Sequence, residues 1–202
     1  MPAPPTRPAL RARYDRRRQE LVDVAATVFA EQGYQATSMD ELSEATGLAA
    51  GGLYHYIDGK EQLLFLICDA LLQPLLTEAR GIVAAGGHPE AVLRAVVRAW
   101  VLHVERHRTY MLVFQQERHV IERDPRWSTV RDSRKQFERL VDEVLAAGEA
   151  EGEFAFADRG IALLSLLAMV NYTPQWLRPN GRLSTAAVAD GFCDLLLGIK
   201  PT

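Results

Sequence analysis

A chain of 202 residues with 48% hydrophobic residues can bury the apolar core of one large or two small domains. Its charged fraction of 24% is ordinary for a soluble globular protein. The net charge of −3 excludes attraction of nucleic acid by the field of the whole molecule, so any such binding depends on a local basic patch.

A basic patch lies at the start of the chain, where one acidic residue, Asp15, stands among six arginines. These arginines are Arg7, Arg11, Arg13, Arg16, Arg17 and Arg18. Prolines interrupt the first eight residues, so we expect residues 1–15 to form a disordered basic arm. Such an arm either stays in solvent or reaches phosphates, and the sequence leaves both options open.

Apolar residues recur with helical spacing along the rest of the chain, and the alternation typical of strands is missing. Ser38-Met39-Asp40-Glu41 has the pattern of a capping box, and Gly33 and Gly47 are helix stop signals. We therefore predict an all-α fold of nine helices, three short ones followed by six longer ones. They cover residues 19–32, 38–47, 50–57, 60–84, 89–107, 109–122, 124–150, 158–176 and 184–198.

The second and third predicted helices form a helix-turn-helix pattern, because a glycine-containing turn at residues 47–49 joins two short helices. The third helix carries glycines at 51 and 52, each of which costs about 1 kcal/mol of helix stability relative to alanine. It also carries Tyr-His-Tyr at 54–56. Close approach to the major groove of DNA would explain the glycines, and packing inside a helical hairpin is the alternative explanation.

Four segments fall in register with a known family. They are Leu21-x-x-x-Ala25-x-x-x-Phe29-x-x-x-Gly33-Tyr34, Ala36-Thr37-Ser38-Met39-x-x-Leu42, Gly47-Leu48-x-x-Gly51-x-Leu53-Tyr54-x-Tyr56 and Lys60-Glu61-x-Leu63-Leu64. Through them, residues 17–64 resemble the N-terminal domain of the TetR/AcrR family of transcriptional regulators. Where that family often has Ser-Lys before the recognition-helix glycine, this chain has Ala49-Ala50, which lacks an N-cap and a phosphate contact.

The resemblance implies a helix-turn-helix DNA-binding domain over residues 16–62 and an effector-binding and dimerisation domain over residues 63–202. It implies that Thr37, Ser38 and Lys60 touch phosphates and that the recognition helix faces the groove. The expected DNA-binding residues are Thr37, Ser38, Ala50, Gly51, Gly52, Tyr54, His55, Tyr56 and Lys60. The implied function is a ligand-responsive repressor that binds a palindromic operator as a homodimer.

A second resemblance concerns the effector. Asn171-Tyr172-x-x-x-Trp176-x-x-Pro179-x-Gly181-x-x-Ser184 is similar to the C-terminal halves of family members that sense acyl-CoA thioesters, which implies an amphipathic effector of the acyl-CoA class. An apolar pocket with a few polar groups would suit such a ligand, although each aromatic residue could equally be plain core. The candidate effector-binding residues are Trp100, His103, Tyr110, Phe114, Trp127, Phe137, Met169, Asn171 and Trp176.

The last two long helices are the expected dimer interface. The first is apolar nearly all round and the second has an apolar stripe, which is more surface than one chain can hide. The predicted dimerisation residues are Leu163, Leu166, Leu167, Phe192, Leu195 and Leu196.

Other functional classes fit less well. The i,i+4 pair His103 and His107 has metal-ligand spacing but no third ligand nearby, so we predict neither a metal nor a cofactor. A small helical enzyme would need a nucleophile elbow, phosphate loop or dinucleotide fingerprint, and none occurs in the sequence. A regulator of drug efflux that senses a lipophilic or cationic compound remains the alternative within the family. Without a signal-type segment or a bilayer-length apolar run, we expect a soluble cytoplasmic protein.

Overall fold

The computed structural model describes residues 5–178 and 181–198, and in those ranges every regular element is helical. The helices are α1 (Pro8–Gln32), α2 (Met39–Thr46), α3 (Ala50–Leu53), α4 (Lys60–Ala85), α5 (Pro89–Arg106), α6 (Arg108–Gln116), α7 (Arg118–Arg123), α8 (Ser128–Ala150), α9 (Arg159–Asn171), α10 (Thr173–Trp176) and α11 (Thr185–Leu197). A 3₁₀ turn over Pro125–Trp127 leads into α8. The all-α fold class is confirmed, with more helices in the described ranges than the nine predicted.

Two predicted helices are interrupted. The segment over 109–122 divides at Glu117 into α6 and α7, and the segment over 158–176 divides at Tyr172 into α9 and α10. Pro174 explains the second break, because it has no backbone N–H and its ring would clash with the Val170 carbonyl in a continuous helix. The Thr173 hydroxyl donates to that carbonyl instead, at 2.8 Å.

The disordered arm predicted over residues 1–15 is wrong from Pro8 onward, because α1 begins there. Proline suits the first position of a helix, where its missing N–H is not needed. An i,i+4 ion pair of 3.0 Å between Arg11 and Asp15 adds a small stabilisation to this part of α1. Residues 1–4 lie outside the described ranges.

The predicted start of α2 is confirmed in atomic detail. The Glu41 N–H donates to Ser38 Oγ at 3.2 Å, and the Ser38 N–H donates to Glu41 Oε2 at 2.7 Å. The hydrogen bonds that the Ser38 N–H and the Ser38 hydroxyl donate to the Glu41 carboxylate lower the pKa of Glu41, so the capping carboxylate is ionised at neutral pH. Gly47 closes the helix in the left-handed conformation, with φ of 66°.

The chain forms two compact units whose boundaries differ from the predicted division at residue 62. One comprises residues up to Leu71 together with Leu112–Val130, and the other comprises Leu72–Met111 together with the chain from Arg131 onward. The first unit therefore holds the start of α4, all of α7 and the 3₁₀ turn. Its fully buried side chains include Leu21, Phe29, Leu42, Leu53, Ile57, Leu63, Leu64, Ile67 and Ile121.

In the second unit, α5 packs against α9, α10 and α11. Arg94 on α5 ties this packing together, because its guanidinium pairs with Glu90 at 2.8 Å and with Asp194 of α11 at 2.6 Å. Arg98, one turn later, pairs with Asp190 of α11 at 2.7 Å. Ion pairs from two successive turns of α5 thus connect it to α11.

Within the described ranges, α4 has the length and apolar composition of a membrane span. Half of its most apolar stretch is buried, including Leu64 and Ile67 in the core of the first unit. Core helices of soluble proteins share these properties, so the feature is only a weak indication of a membrane.

Candidate functional site

Helices α2 and α3 with the turn between them form the helix-turn-helix. The Ser43 hydroxyl donates to the Leu48 carbonyl and so fixes the turn after Gly47. Helix α3 ends at Leu53 and is shorter than the predicted 50–57, because residues 54–56 form a turn. The two consecutive glycines at 51 and 52 are poor helix formers and favour a short helix. We call residues 50–57, α3 with this turn, the recognition segment.

The recognition segment has an inner and an outer side. Leu53 and Ile57 are fully buried, whereas Tyr54 is 47% exposed and His55 is also exposed. Tyr54 and His55 therefore lie on the outer side of the segment, and the DNA contacts predicted for them stay predictions. Ala50 and Gly51 are exposed on the same segment.

The fold itself does not require the two glycines of the recognition segment. A methyl group added at Gly51 would meet no atom within 4 Å, and one added at Gly52 would meet only the Leu48 side chain, at an ordinary 3.6 Å. Packing inside the hairpin therefore does not explain them. Close approach to the major groove of DNA, the other explanation, stays a prediction.

Tyr56 differs from its neighbours, because it packs against α1. Its ring lies 5.0 Å from the ring of Tyr14, and its carbonyl accepts a 3.2 Å hydrogen bond from Arg18 Nε. The position of Tyr14 and Arg18 beside the recognition segment does not follow from the sequence pattern. The only available signal was Tyr14 itself, a lone aromatic residue in a basic segment.

Thr37 and Ser38 have local structural roles. The Thr37 hydroxyl is buried and donates to the Gly33 carbonyl at 2.8 Å, so its side chain does not offer a phosphate contact as predicted. Ser38 is exposed, and its hydroxyl takes part in the capping box with Glu41. Of these two predicted contacts, only Ser38 presents its side chain at the surface.

Lys60 fixes the loop between α1 and α2, which is a different role from the predicted phosphate contact. Its ammonium donates to the carbonyls of Tyr34, Gln35 and Thr37 at 3.1, 3.2 and 2.9 Å. An ammonium has three N–H donors, so the three carbonyls account for all of them. The same group lies 4.8 Å from the centre of the Tyr34 ring.

The segment between α6 and α7 holds the same loop from another side. Glu117 is 5% exposed, and its Oε1 accepts a 3.2 Å hydrogen bond from the Tyr34 N–H. Gln116 donates to the Ala30 carbonyl at the end of α1, also at 3.2 Å. The sequence has no signal for this role of Glu117 in the DNA-binding region, because its partner is a backbone N–H group 83 residues away.

Part of the predicted effector set lies together inside the second unit. The rings of Trp100 and Phe137 are 4.8 Å apart, edge to face. His103 lies 4.4 Å from His107, which in turn lies 5.8 Å from Tyr110. All of these except His107 are buried, so the second unit encloses one aromatic pair and one row of two imidazoles and a tyrosine ring.

The other predicted effector residues lie elsewhere. Phe114 and Trp127 belong to the first unit, where Trp127 lines a cavity of about 310 Å³ with Phe65 and Arg126. Met169 and Asn171 are half-buried, and Trp176 is partly exposed against Phe192, at 6.3 Å between ring centres. The structure does not bring all nine residues around one cavity.

The outer faces of α9 and α11 are unusually apolar. Leu195 is 75% exposed as the sequence predicted, but Leu166 is fully buried within the chain and cannot reach a partner. Helical spacing places the exposed residues of α9 on one stripe instead. The stripe consists of Ile161, Leu164, Ala168 and Tyr172. The remaining predicted dimerisation residues, Leu163, Leu167, Phe192 and Leu196, are half-buried.

Comparison with known proteins covers most of the chain. Residues 21–67 match the family described as bacterial regulatory proteins, tetR family, and residues 86–199 match the tetracyclin repressor-like C-terminal domain. The HTH-type transcriptional repressor KstR2 of Rhodococcus jostii is 31% identical over 182 residues, which is 90% of this chain and 89% of the relative. KstR2 of Mycobacterium tuberculosis is 28% identical over 183 residues, covering 90% of this chain and 92% of the relative.

Solved structures agree with these matches. The ketosteroid transcriptional regulator KstR2 of Mycobacterium tuberculosis superposes with a TM-score of 0.83 at 28% identity, covering 90% of this chain and 93% of that one. AibR, solved in complex with isovaleryl coenzyme A and operator DNA, superposes with a TM-score of 0.77 at 27% identity, covering 90% and 98%. With a tetR-type helix-turn-helix and a matching C-terminal domain, the chain belongs to the TetR family of transcriptional regulators.

Proposed function

We propose that this regulator binds a palindromic operator as a homodimer in the cytoplasm and is released from it by an amphipathic effector of the acyl-CoA class. The observation that carries the DNA-binding part is the two-sided recognition segment. Leu53 and Ile57 anchor it in the core, so Tyr54 and His55 stand exposed on a rigid support. Hydrogen-bonding side chains on such a segment are suited to the edges of bases in the major groove.

Alanine substitution of the exposed side chains tests this assignment. Tyr54→Ala and His55→Ala should each weaken operator binding by about 1–3 kcal/mol, provided the side chain reads a base. Binding is measured by fluorescence anisotropy on a duplex that the wild-type protein has selected from a random-sequence pool.

His119→Ala is the matched control, because His119 is exposed on α7, outside the recognition segment. We expect its operator affinity to equal that of the wild type. Wild-type affinity in a protein lacking both Tyr54 and His55 side chains would mean that another surface reads the DNA.

Two observations support the effector part of the proposal. The second unit holds a buried ring pair of Trp100 and Phe137 and a row in which His107 contacts both buried His103 and buried Tyr110, a mixture of apolar rings and few polar groups of the kind found in small-molecule sites. In addition, AibR, a structural neighbour, was solved with isovaleryl coenzyme A. Helix α4 contributes residues to both compact units and is the element through which we expect ligand binding to act on the DNA-binding unit.

An acyl-CoA panel tests the effector class. Short-chain, long-chain and aromatic acyl-CoAs are titrated into the protein–operator complex, with free coenzyme A as the control for the nucleotide part. For a hundredfold loss of operator affinity, the effector must bind the DNA-incompetent state of the protein about 2.7 kcal/mol more tightly than the DNA-competent state. This difference is within the usual range of allosteric coupling. If no acyl-CoA releases the DNA but a cationic or neutral drug does, the regulator belongs to the efflux class instead.

A further inference from the structure

The N-terminal half of α1, residues 8–20, is an exposed helical extension of the first unit. The second half of α1 buries a stripe that includes Leu21, Val22 and Phe29. In the N-terminal half, Tyr14 is the buried residue, with 6% exposure. More than three turns of helix therefore rest on the unit chiefly through one aromatic side chain.

Tyr14 attaches this extension to the recognition segment. Its ring lies 5.0 Å from the ring of Tyr56 and 5.8 Å from that of His55, and its hydroxyl donates to the His55 carbonyl at 3.4 Å. Arg18 donates to the Tyr56 carbonyl, and Arg17 donates to the Thr46 carbonyl at the end of α2, at 3.3 Å. The position of the extension is thus fixed relative to the helix-turn-helix.

Helical periodicity then defines which arginines overhang the recognition segment. Arg11 precedes Tyr14 by three residues and shares its face of α1, whereas Arg16 follows by two and lies on the opposite side. Arg7 is the N-cap residue of α1, and its spacing of seven from Tyr14 places its backbone on the same side as Tyr14. At 1.5 Å per residue, Arg7 lies about 10 Å beyond Tyr14, a distance comparable with the width of the major groove. Both Arg7 and Arg11 are exposed.

The charges on this face are available for a partner. In the part of the chain that the structure describes, Arg7 has no ionic contact, and Arg11 has an exposed pair with Asp15. An exposed pair of this kind is worth at most about 1 kcal/mol, so a phosphate can replace the carboxylate. In a protein whose net charge is −3, such a concentrated basic segment is suited to a polyanion.

We infer that the N-terminal half of α1, with its N-cap residue Arg7, is a second DNA-contacting element. In this element Arg7 and Arg11 bind backbone phosphates, beside the base pairs that Tyr54 and His55 contact. Tyr14 is the positioning residue of this element. The inference rests on the proposed role of the recognition segment. This DNA-contacting element would supply phosphate contacts to a chain that has Ala49-Ala50 where its family often has Ser-Lys.

The salt dependence of operator binding tests this inference. Each phosphate contact contributes about 0.9 to the slope of log Kd against log salt concentration, so R7Q with R11Q should reduce the slope of a dimer by about 3.6. The ratio of affinities for the selected duplex and a shuffled duplex should stay constant, because phosphate contacts carry no sequence information. Arg16→Gln removes an exposed charge from the opposite face of the same helix and should leave the slope unchanged.

Tyr14 variants test the positioning role without a change of charge. Tyr14→Ala should lower the slope, and Tyr14→Phe, which keeps the ring contacts, should restore it. Circular dichroism verifies that each variant is folded. The inference is overturned if the arginine pair leaves the slope intact, or if Arg16→Gln lowers it equally. If the wild-type protein selects no duplex at all, the proposed DNA-binding function itself is refuted. Failure of the proposed function is thus distinguishable from failure of the inference about α1.

Discussion

Introducing glutamate at Leu164 and Leu195 should convert the protein into a monomer and weaken operator binding about 100- to 10,000-fold. These residues are 65% and 75% exposed on the outer faces of α9 and α11, and Leu195 lines a surface cavity of about 430 Å³ together with Ile161 and Met169. A monomer rarely exposes so continuous an apolar surface, and two copies of a helix pair can bury it in a four-helix interface. The loss of affinity follows from the separation of two linked half-site contacts, whose avidity has this magnitude.

Sedimentation at micromolar concentration and anisotropy on the selected duplex measure the two effects. Ala147→Glu is the control, because Ala147 is an exposed apolar residue on α8. It adds one glutamate, half the charge of the double variant, without touching the outer faces of α9 and α11. A double variant that stays dimeric would show that another surface joins the protomers. A monomeric variant that retains wild-type operator affinity would show that DNA binding does not need the dimer.

The helix-turn-helix could be predicted because its signals are local. The capping box spans four residues, Gly47 ends α2 by its own backbone conformation, and the burial of Leu53 and Ile57 follows from their spacing. Reliance on local signals also explains why the predicted first helix, 19–32, is shorter than α1. The composition of the first fifteen residues favours disorder, and the docking of Tyr14 depends on residues more than forty positions away.

The effector region was less predictable for a related reason. Aromatic residues follow the same helical spacing whether they fill a core or line a site, so Trp100 and Phe137 could be identified as inward-facing but not assigned to a cavity. Helical spacing pairs Tyr110 with Phe114, and this pairing predicts a position in the effector domain for Phe114. The structure assigns it to the first unit because the segment over 112–130 folds with the N-terminal part of the chain.

Lys60→Met should lower the free energy of unfolding by about 1.5–3 kcal/mol, the usual contribution of hydrogen bonds to a charged group. The variant keeps most of the apolar stem but leaves the carbonyls of Tyr34, Gln35 and Thr37 without their common donor. These residues lie 23 to 26 positions from Lys60, and backbone acceptors have no sequence signature. The resemblance to the family therefore suggested a phosphate contact where the structure has an internal one.

Operator binding distinguishes the two roles of Lys60. If its ammonium holds the loop that leads into α2, Lys60→Met should weaken operator binding with an unchanged salt slope, since no phosphate contact is lost. If Lys60 binds a phosphate, the slope should fall by about 0.9 per protomer while the unfolding free energy stays close to that of the wild type.

Lys135→Met is the matched control, because Lys135 is exposed on α8 and its loss changes the net charge equally. We expect this control to keep both its stability and its operator affinity. Chemical denaturation of Lys60→Met and Lys135→Met, followed by circular dichroism, gives the two unfolding free energies. Equal stability of both variants would contradict the loop-holding role of Lys60. A destabilised Lys60→Met with an intact salt slope would support it, because only an internal contact lowers stability without changing counterion release.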